Sequence, residues 1–125
     1  MLVHIQSTGH KKIKYKTPVL LISGGETTVK VNGKGKGGRN QEFALYFAIE
    51  MKKINPSKSF IILSAGTDGR DGPTNAAGGI LNQGSLEKIK KKKVNLEKEL
   101  LNNNSYQVLK KIKKVHFKLC YTLHF

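Results

Sequence analysis

The chain is poor in the residues that hold small secreted proteins and metal clusters together. Among its 125 residues it has one cysteine, Cys120, and no tryptophan, which excludes an internal disulfide and a cysteine-based metal cluster. No apolar run approaches the ~20 residues that span a bilayer, and residues 1–16 lack the apolar stretch of a signal peptide. We therefore expect one cytoplasmic domain that does not contact a membrane.

Acidic residues are scarce as well, so the charge is one-sided. The chain has 8 Asp and Glu residues against 23 Lys and Arg, which gives a net charge of +15. Such an excess suits a nucleic-acid-binding protein, and the lysine run at 88–93 would be its basic patch. Because no aromatic side chain interrupts that run, it offers no platform on which bases could stack. We therefore favour a solvated helix face and rank nucleic-acid binding lower.

Glycine, by contrast, is abundant, and most of the 13 glycines lie in loops that follow apolar runs. The runs at 18–23 and 60–63 predict buried strands, and the alternation at 27–31 predicts a half-buried strand. An amphipathic helix is predicted to begin at Asn40 as its N-cap, and a short helix is predicted to begin at Pro73.

The later part of the chain predicts further helices and an unusual ending. Ser85, Asn95 and either Asn104 or Ser105 are candidate caps of helices within 85–114, and 115–125 reads as a final strand. The pattern predicts an α/β fold, a single domain with a mixed β-sheet packed by helices. Residues 1–17 would be a basic N-terminal segment or the end of a linker, 18–114 the domain, and 115–125 an atypical C-terminal tail.

Two glycine-rich loops carry the candidate chemistry. The loop at 64–78 follows a predicted strand, and ligands of open α/β sheets bind at such strand ends. Its carboxylates, Asp68 and Asp71, either offer oxygens to Mg²⁺ or form Asx turns with their own backbone. The loop at 33–38 precedes a helix start, where Arg39 favours anion binding over a flexible hairpin tip. Glu26, after another predicted strand, is either a third acid of the site or a hairpin residue.

Three ordered motifs resemble one known family. They are Ser23-Gly-Gly-Glu-Thr-Thr-Val, Gly35-Lys-Gly-Gly-Arg-Asn-Gln-Glu, and Ser64-Ala-Gly-Thr-Asp-Gly with the following Asp71-Gly-Pro-Thr and Ala76-Ala-Gly. They resemble the MOFRL domain, the C-terminal half of the ATP-dependent glycerate 2-kinases, some of which are labelled hydroxypyruvate reductases. The resemblance runs from about Pro18 to Tyr106, where Asn102-Asn-Asn-Ser-Tyr is similar to the family's Asn-Asn-Asp-Ser-Tyr.

This resemblance implies phosphoryl transfer from ATP to glycerate, giving 2-phosphoglycerate, in a cleft between two domains with Mg²⁺. Arg39 would face the transferred phosphoryl group or the glycerate carboxylate. Asp68 and Glu26 would be further catalytic candidates, and Asp68 and Asp71 would be metal ligands. The substrate- or phosphate-binding candidates allow close backbone approach or form hydrogen bonds, and they are Gly37, Gly38, Asn40, Gly66, Thr67, Gly69 and Thr74.

Two departures from the family shape the functional hypothesis. The chain has no counterpart of the family's Rossmann-like N-terminal domain, and from about Val115 it differs from the family's ending. We therefore expect a truncated or frame-shifted part of a glycerate kinase that is inactive alone and has a poorly packed tail. A stand-alone nucleotide- or phosphate-binding module is the alternative. A hydroxypyruvate reductase ranks lower, because the glycine loop lacks the acidic residue that completes a dinucleotide fingerprint about 20 residues on.

Overall fold

A long helix lying on a two-stranded sheet forms the centre of the fold. The computed structural model describes the backbone of Leu2–Val3 and residues 18–54 and 56–113. In chain order its elements are β1 (Leu2–Val3), β2 (Leu20–Leu21), α1 (Arg39–Ile54), β3 (Ile61–Ala65), β4 (Gly78–Asn82), α2 (Gln83–Lys91), α3 (Leu96–Leu101) and α4 (Ser105–Lys111). Strands β3 and β4 are antiparallel, paired from Ile61 opposite Asn82 to Ala65 opposite Gly78, and β1 and β2 form a separate parallel pair.

Helix α1 approaches the sheet closely because both surfaces are lined by small residues. Ala44 and Ala48 on its inner face are fully buried, as is Leu45 between them. A Cβ added at Gly79 of β4 would lie 3.3 Å from Ala44 and 3.1 Å from Leu109, so a larger residue there would push the helices away. The buried core around this contact comprises Ala44, Leu45, Ala48, Ala76, Leu81, Ile89, Leu100, Val108, Leu109 and Ile112.

The predicted fold class is confirmed, since helices pack on a small sheet in one domain, but several predicted elements differ. The half-buried strand predicted at 27–31 is wrong, because these residues form no strand with the described part of the chain and are mostly exposed. The short helix at Pro73 is also wrong. The Thr74 hydroxyl instead donates to the Asp71 carbonyl at 2.7 Å and accepts from the Ala76 N–H at 3.3 Å. These bonds form a tight turn that leads into β4.

The two apolar runs form strands that are more exposed than predicted. Of 18–23 only Leu20–Leu21 is a strand, and both residues are more than half exposed. In β3, Ile62 packs against the core, whereas Ile61 is 76% exposed, so one face of this strand is open. The predicted final strand at 115–125 lies outside the described residues. No helix in the described ranges has the length and apolar character needed to cross a membrane.

The helix caps follow the sequence in two of four cases, Asn95 and Asn104. Asn95 caps α3, where its side chain accepts from the Lys98 N–H at 3.0 Å, and Asn104 is the N-cap of α4. Helix α2, however, starts earlier than predicted, with Asn82 as N-cap. Ser85 is the third helical residue, and its hydroxyl accepts from the Asn82 N–H at 2.9 Å and donates to the Asn82 side chain at 3.0 Å. This is the reciprocal arrangement of a capping box.

Candidate functional site

A carboxylate from a distant loop caps the N-terminus of α1. Asp71 is 2% exposed. Its Oδ1 accepts from the Asn40 N–H at 3.0 Å, and its Oδ2 accepts from the Gln41 N–H at 2.8 Å. The unpaired N–H groups and the dipole of a helix N-terminus stabilise negative charge. The anion expected at this helix start is therefore a side chain of the chain itself, and Asn40 lies inside the helix rather than at its predicted N-cap position.

Side chains around this cap join the helix start to both ends of the 64–78 loop. The Asn40 amide donates to Asp71 Oδ1 at 3.1 Å and accepts from the Ser64 hydroxyl, at the end of β3, at 2.8 Å. The Gln41 amide donates to the Asp71 carbonyl at 3.2 Å and to the Thr74 hydroxyl at 3.1 Å. Because Gln41 and Thr74 are both buried, these bonds rigidify the junction of the helix and the loop.

The glycines of both loops allow one loop to pack on the other. Gly72 has a φ of +63°, and a Cβ there would overlap the Gly37 carbonyl. A Cβ at Gly38 would overlap the Asp71 carboxyl group. At Gly66 a Cβ would lie 2.8 Å from the Asp68 carboxylate and 3.7 Å from the Asn40 amide. The close approach that the glycines permit is therefore between protein atoms, which favours a packing role for Gly37, Gly38 and Gly66.

The loop at 32–36 is bound by the asparagine turn between α3 and α4. Oxygens of Asn102–Asn104 accept from every backbone N–H of this loop. The bonds are Asn32 and Gly33 to Asn103 Oδ1 (both 2.8 Å), Lys34 to Asn102 Oδ1 (3.0 Å), Gly35 to the Asn102 carbonyl (2.8 Å) and Lys36 to Asn104 Oδ1 (3.1 Å). Because these N–H groups already have acceptors, the loop does not offer them to a phosphate.

One buried acid links the asparagine turn to α1. Glu42 is 7% exposed, and its Oε1 accepts from the Asn103 amide at 3.0 Å. Burial raises the pKa of Glu42, since a low-dielectric surrounding disfavours the charged form. The hydrogen bond from Asn103 opposes that rise, and the nearby Asp71 carboxylate adds to it. Glu42 is therefore a group whose charge costs folding free energy.

The first residue of α1 carries the exposed cation of the site. The Arg39 guanidinium lies 2.9 Å from the Glu26 carboxylate, with side chains 44% and 74% exposed. The structure thus brings together two of the predicted catalytic residues, although the sequence between them contains an entire glycine loop. An exposed ion pair of this kind contributes little stability, so an incoming anion can replace Glu26 at small cost.

The remaining predicted residues divide into exposed and buried groups. Thr67 and Asp68 are exposed at the tip of the 64–78 loop, and Asp68 Oδ1 accepts from the Arg70 N–H at 3.1 Å. Gly69, with a φ of +77°, forms the turn of that tip by donating to the Gly66 carbonyl at 3.1 Å. Thr74 and Asp71 are buried and bonded within the protein. Of the residues predicted to bind substrate or metal in this loop, Thr67 and Asp68 are therefore the exposed ones.

The donor set does not fit a protein-held Mg²⁺. Magnesium takes several oxygen ligands in near-octahedral geometry, whereas both oxygens of Asp71 accept from backbone N–H groups of α1. Within the described ranges there is no cluster of three or more His, Cys, Asp or Glu side chains that could hold a metal ion. This geometry favours a structural role for Asp71 over the predicted metal-binding one.

Sequence reasoning missed the roles of the residues that build this arrangement. Gln41, Ser64 and Asn102–Asn104 lie in the motifs that resemble the family, but nothing in those motifs indicates that they bond to another segment. A run of three asparagines 70 positions beyond a glycine loop gives no periodic signal. The one available hint is that asparagine both donates and accepts, which a turn needs when it must satisfy another segment's backbone.

A shallow groove lies elsewhere on α1. It has a volume of about 320 Å³ and an apolar floor that includes Ile49, Leu86 and Ile89, with Lys52 and Lys53 on its rim. These residues belong to the C-terminal half of α1 and to α2. The groove is therefore at the opposite end of α1 from Arg39 and is not part of the candidate site.

Comparison with known proteins finds relatives that match most of the chain. Residues 19–123 match the MOFRL family. The chain is 43% identical over 109 residues to the glycerate 2-kinase of Pyrococcus horikoshii, covering 86% of the chain and 24% of the relative. It is 47% identical over 106 residues to the D-glycerate 2-kinase of Thermotoga maritima, covering 81% of the chain and 25% of the relative.

A solved structure confirms the fold. The crystal structure of glycerate kinase from Thermotoga maritima matches with a TM-score of 0.73 and 48% identity, over 80% of this chain and 23% of that chain. The chain spans about a quarter of the length of the curated relatives it matches. The family match extends past Tyr106, where the motif resemblance ends, while the departure of 115–125 from the family's ending stays a prediction.

Proposed function

Because the chain belongs to the MOFRL family, we propose that it supplies one part of the active site of a glycerate 2-kinase. That reaction would transfer a phosphoryl group from ATP to glycerate, giving 2-phosphoglycerate and ADP, in a cytoplasmic setting. The observation that carries the proposal is the position of Arg39. It is the exposed first residue of α1, next to two glycine loops that pack closely against each other.

Arg39 would bind the anionic part of the substrate. Its planar guanidinium matches a carboxylate or a phosphoryl group with paired hydrogen bonds. The part-buried network of Asp71, Asn40 and Ser64 fixes the backbone from which the Arg39 side chain extends, so the cation is presented from a rigid support. In phosphoryl transfer, where catalysis is mostly positioning and charge stabilisation, this is the contribution that a fixed cation can make.

Acidic and hydroxyl groups nearby would complete this half of the site. When the substrate anion takes the guanidinium, the Glu26 carboxylate is released beside it and can orient the glycerate hydroxyl by a hydrogen bond. Thr67 and Asp68 at the loop tip are exposed and would contact the substrate from the other side. The described residues do not form a magnesium site, so these groups would act through hydrogen bonds to the substrate.

The rest of the site would come from the part of a glycerate kinase that lies outside the region matched by this chain. The chain matches about a quarter of its glycerate kinase relatives, and the exposed Arg39 has no covering wall among the described residues. A half-open site leaves both substrates largely in water and unaligned, which forfeits most of the rate that positioning provides. The Rossmann-like domain implied by the family resemblance would supply that wall.

Titration of the ¹⁵N-labelled chain tests whether the site binds its expected ligand. We expect 2-phosphoglycerate to perturb the signals of Arg39, Asn40 and Thr67 at millimolar concentration, and Arg39→Ala to abolish this response. Arg70→Ala, at the other arginine of the chain, is the matched control and should leave the response in place. Absence of any perturbation at Arg39 up to saturating ligand contradicts the proposal.

The alternative functions predict other ligands or other affinities, which titrations of the same labelled chain distinguish. A stand-alone binding module would bind a nucleotide or a phosphorylated ligand at micromolar concentration, because its site would be complete. A nucleic-acid-binding protein would bind an RNA oligonucleotide through 88–93, with an affinity that falls steeply as salt is raised. Relatives named as kinases favour the kinase over the reductase label.

A further inference from the structure

Asn103 has more side-chain partners than its neighbours in the asparagine turn. Its Oδ1 accepts from the N–H groups of Asn32 and Gly33, and its Nδ2 donates to the Lys30 carbonyl at 3.1 Å and to Glu42 Oε1 at 3.0 Å. It is 8% exposed. Both atoms of the amide therefore hold two partners each, and the partners belong to the glycine loop on one side and to α1 on the other.

The backbone of Asn103 is adapted to this position. It lies in the turn between α3 and α4 with a φ of +53°, a conformation that asparagine tolerates better than most residues. Its own N–H donates to the Leu100 carbonyl at 3.0 Å, which anchors the turn to the end of α3. The side chain is thus presented to the loop from a fixed support.

The link to Lys30 bears on the candidate site because of what precedes it. The residues from Ser23 to Val29 make no hydrogen bond to other described residues, apart from the ion pair of Glu26 with Arg39. Lys30 is four positions after Glu26 and is the first anchored residue beyond it. Among the described residues, that anchor and the exposed ion pair are the contacts closest along the chain to Glu26 that hold it opposite Arg39.

We propose that Asn103 is a positioning residue of the candidate site: its amide fixes residues 30–33 on α1 and thereby keeps Glu26 opposite Arg39. The importance of this role for catalysis rests on the proposed function, whereas the role itself can be tested without it. The role needs a side chain that donates and accepts at the same time. Aspartate has the same shape as asparagine, but it cannot donate when ionised, so it cannot replace the bonds to Lys30 and Glu42. Aspartate would also place a second carboxylate beside Glu42.

Amide hydrogen exchange in the full 125-residue chain tests this directly. In Asn103→Asp an oxygen still accepts from Asn32 and Gly33, but both contacts of Nδ2, to Lys30 and Glu42, are lost and the new carboxylate repels Glu42. We expect this to open the loop locally, so the N–H groups of Asn32 and Gly33 should exchange at least about tenfold faster. The ratio of the exchange rates of the Leu45 and Leu81 N–H groups, both in the core, should stay the same as in the wild type. Asn102→Asp is the matched control, since the Asn102 side chain only accepts, from Lys34, and aspartate can still accept.

Two further variants separate positioning from general stability. Asn103→Gly suits the positive φ and removes only the side chain, so it should also speed exchange at Asn32 and Gly33. Combining Asn103→Asp with Glu42→Gln restores a donor opposite an acceptor and should return exchange at these amides to within about threefold of the wild-type rate. A merely destabilised protein would show neither the local pattern nor the rescue.

The outcomes distinguish a failure of this inference from a failure of the proposed function. Unchanged exchange at Asn32 and Gly33 in both Asn103 variants overturns the inference, whatever the chain binds. Equal acceleration in Asn102→Asp, or no rescue by Glu42→Gln, also overturns it. If the exchange pattern appears but 2-phosphoglycerate never perturbs the signals of Arg39, then Asn103 does fix residues 30–33 and the proposed function is wrong.

Discussion

At the scale of single residues, the most consequential side chain is Asp71. It replaces the ligand anion that a glycine-rich helix start would otherwise attract, and it does so while buried and fully engaged with backbone N–H groups. Its neighbour Asp68 is exposed and has a single backbone contact, to Arg70. Two acids three positions apart thus have opposite surroundings, which is what decides their roles.

Removing the Asp71 carboxylate should destabilise the fold. Asp71→Ala leaves the N–H groups of Asn40 and Gln41 buried without acceptors and removes the helix cap, for a combined loss of about 2–4 kcal/mol. Asp68→Ala, at an exposed position, should change the free energy of unfolding by less than about 0.5 kcal/mol. Urea unfolding of the two variants checks this. Equal effects of the two substitutions would show that Asp71 does not cap α1.

Glu42 should make stability depend on pH in an unusual direction for an acid. Because folding raises its pKa above the ordinary 4.5, the folded chain holds this proton more tightly than the unfolded chain. The residue therefore costs stability as pH rises from 4.5 through the folded pKa. The loss of charge hydration outweighs the favourable place of an acid in the first turn of α1.

Glutamine at this position isolates the effect of the charge. Glu42→Gln keeps an oxygen to accept from Asn103 and has no charge to bury, so it should raise the melting temperature near neutral pH. The gain should vanish well below pH 4.5, where the wild-type carboxyl is protonated in both states. Melting curves across this range provide the measurement, and a gain that is independent of pH would refute the burial argument.

At the scale of elements, the structure depends on how closely two glycine loops pass each other. A Cβ at Gly38 would overlap the Asp71 carboxyl group, whereas a Cβ at Gly24 has no atom within 4 Å. Neither residue has a positive φ in the range that excludes a side chain. The two positions therefore differ in packing and not in backbone strain.

Alanine substitutions at these two glycines should separate packing from chain flexibility. Gly38→Ala should lower the free energy of unfolding by about 1–3 kcal/mol, because the loops must move apart to accommodate the methyl group. Gly24→Ala should be within about 0.5 kcal/mol of wild type. Thermal unfolding of both proteins is sufficient, and a tolerant Gly38 would mean that the loops are less tightly joined than the structure shows.

The elements show which parts of the fold were predictable from sequence. Local signals placed β3, α1, the caps Asn95 and Asn104, and the fold class correctly, because periodicity and capping act over a few neighbouring residues. The helix expected at Pro73 failed because the Thr74 hydroxyl closes a turn there. The prediction that 18–23 is buried was wrong, because burial depends on which other parts of the protein cover a strand. The strand's own residues do not specify that.

The candidate site was predictable only in its residue types. Arg39 and Glu26 were named from their chemistry and from the family resemblance, and the structure places them 2.9 Å apart. Their support could not be inferred, because Asp71 reaches the helix start and Asn103 reaches the loop across 30 and 70 positions. Contacts over such distances depend on the fold as a whole.

At the scale of the whole molecule, a well-packed core supports a candidate site that is open to solvent. The core around α1 and β4 is closed, but Arg39, Glu26 and the tip of the 64–78 loop face solvent. The chain's relatives are about four times longer, and under the proposed function that additional protein covers this surface. The large positive charge does not itself define the site, because the lysines of 88–93 lie on α2 and the turn after it.

The most direct test is glycerate-dependent release of ADP from ATP and Mg²⁺ by a chimera. In it, residues 19–113 of this chain, which end before the atypical tail, replace the matching segment of the Thermotoga maritima glycerate kinase. We expect activity in the chimera, a loss of about 100-fold in Arg39→Ala, a change of only a few fold in Arg70→Ala, and no release by the 125-residue chain alone. Full activity in the Arg39→Ala chimera, or turnover by the chain alone, would contradict it.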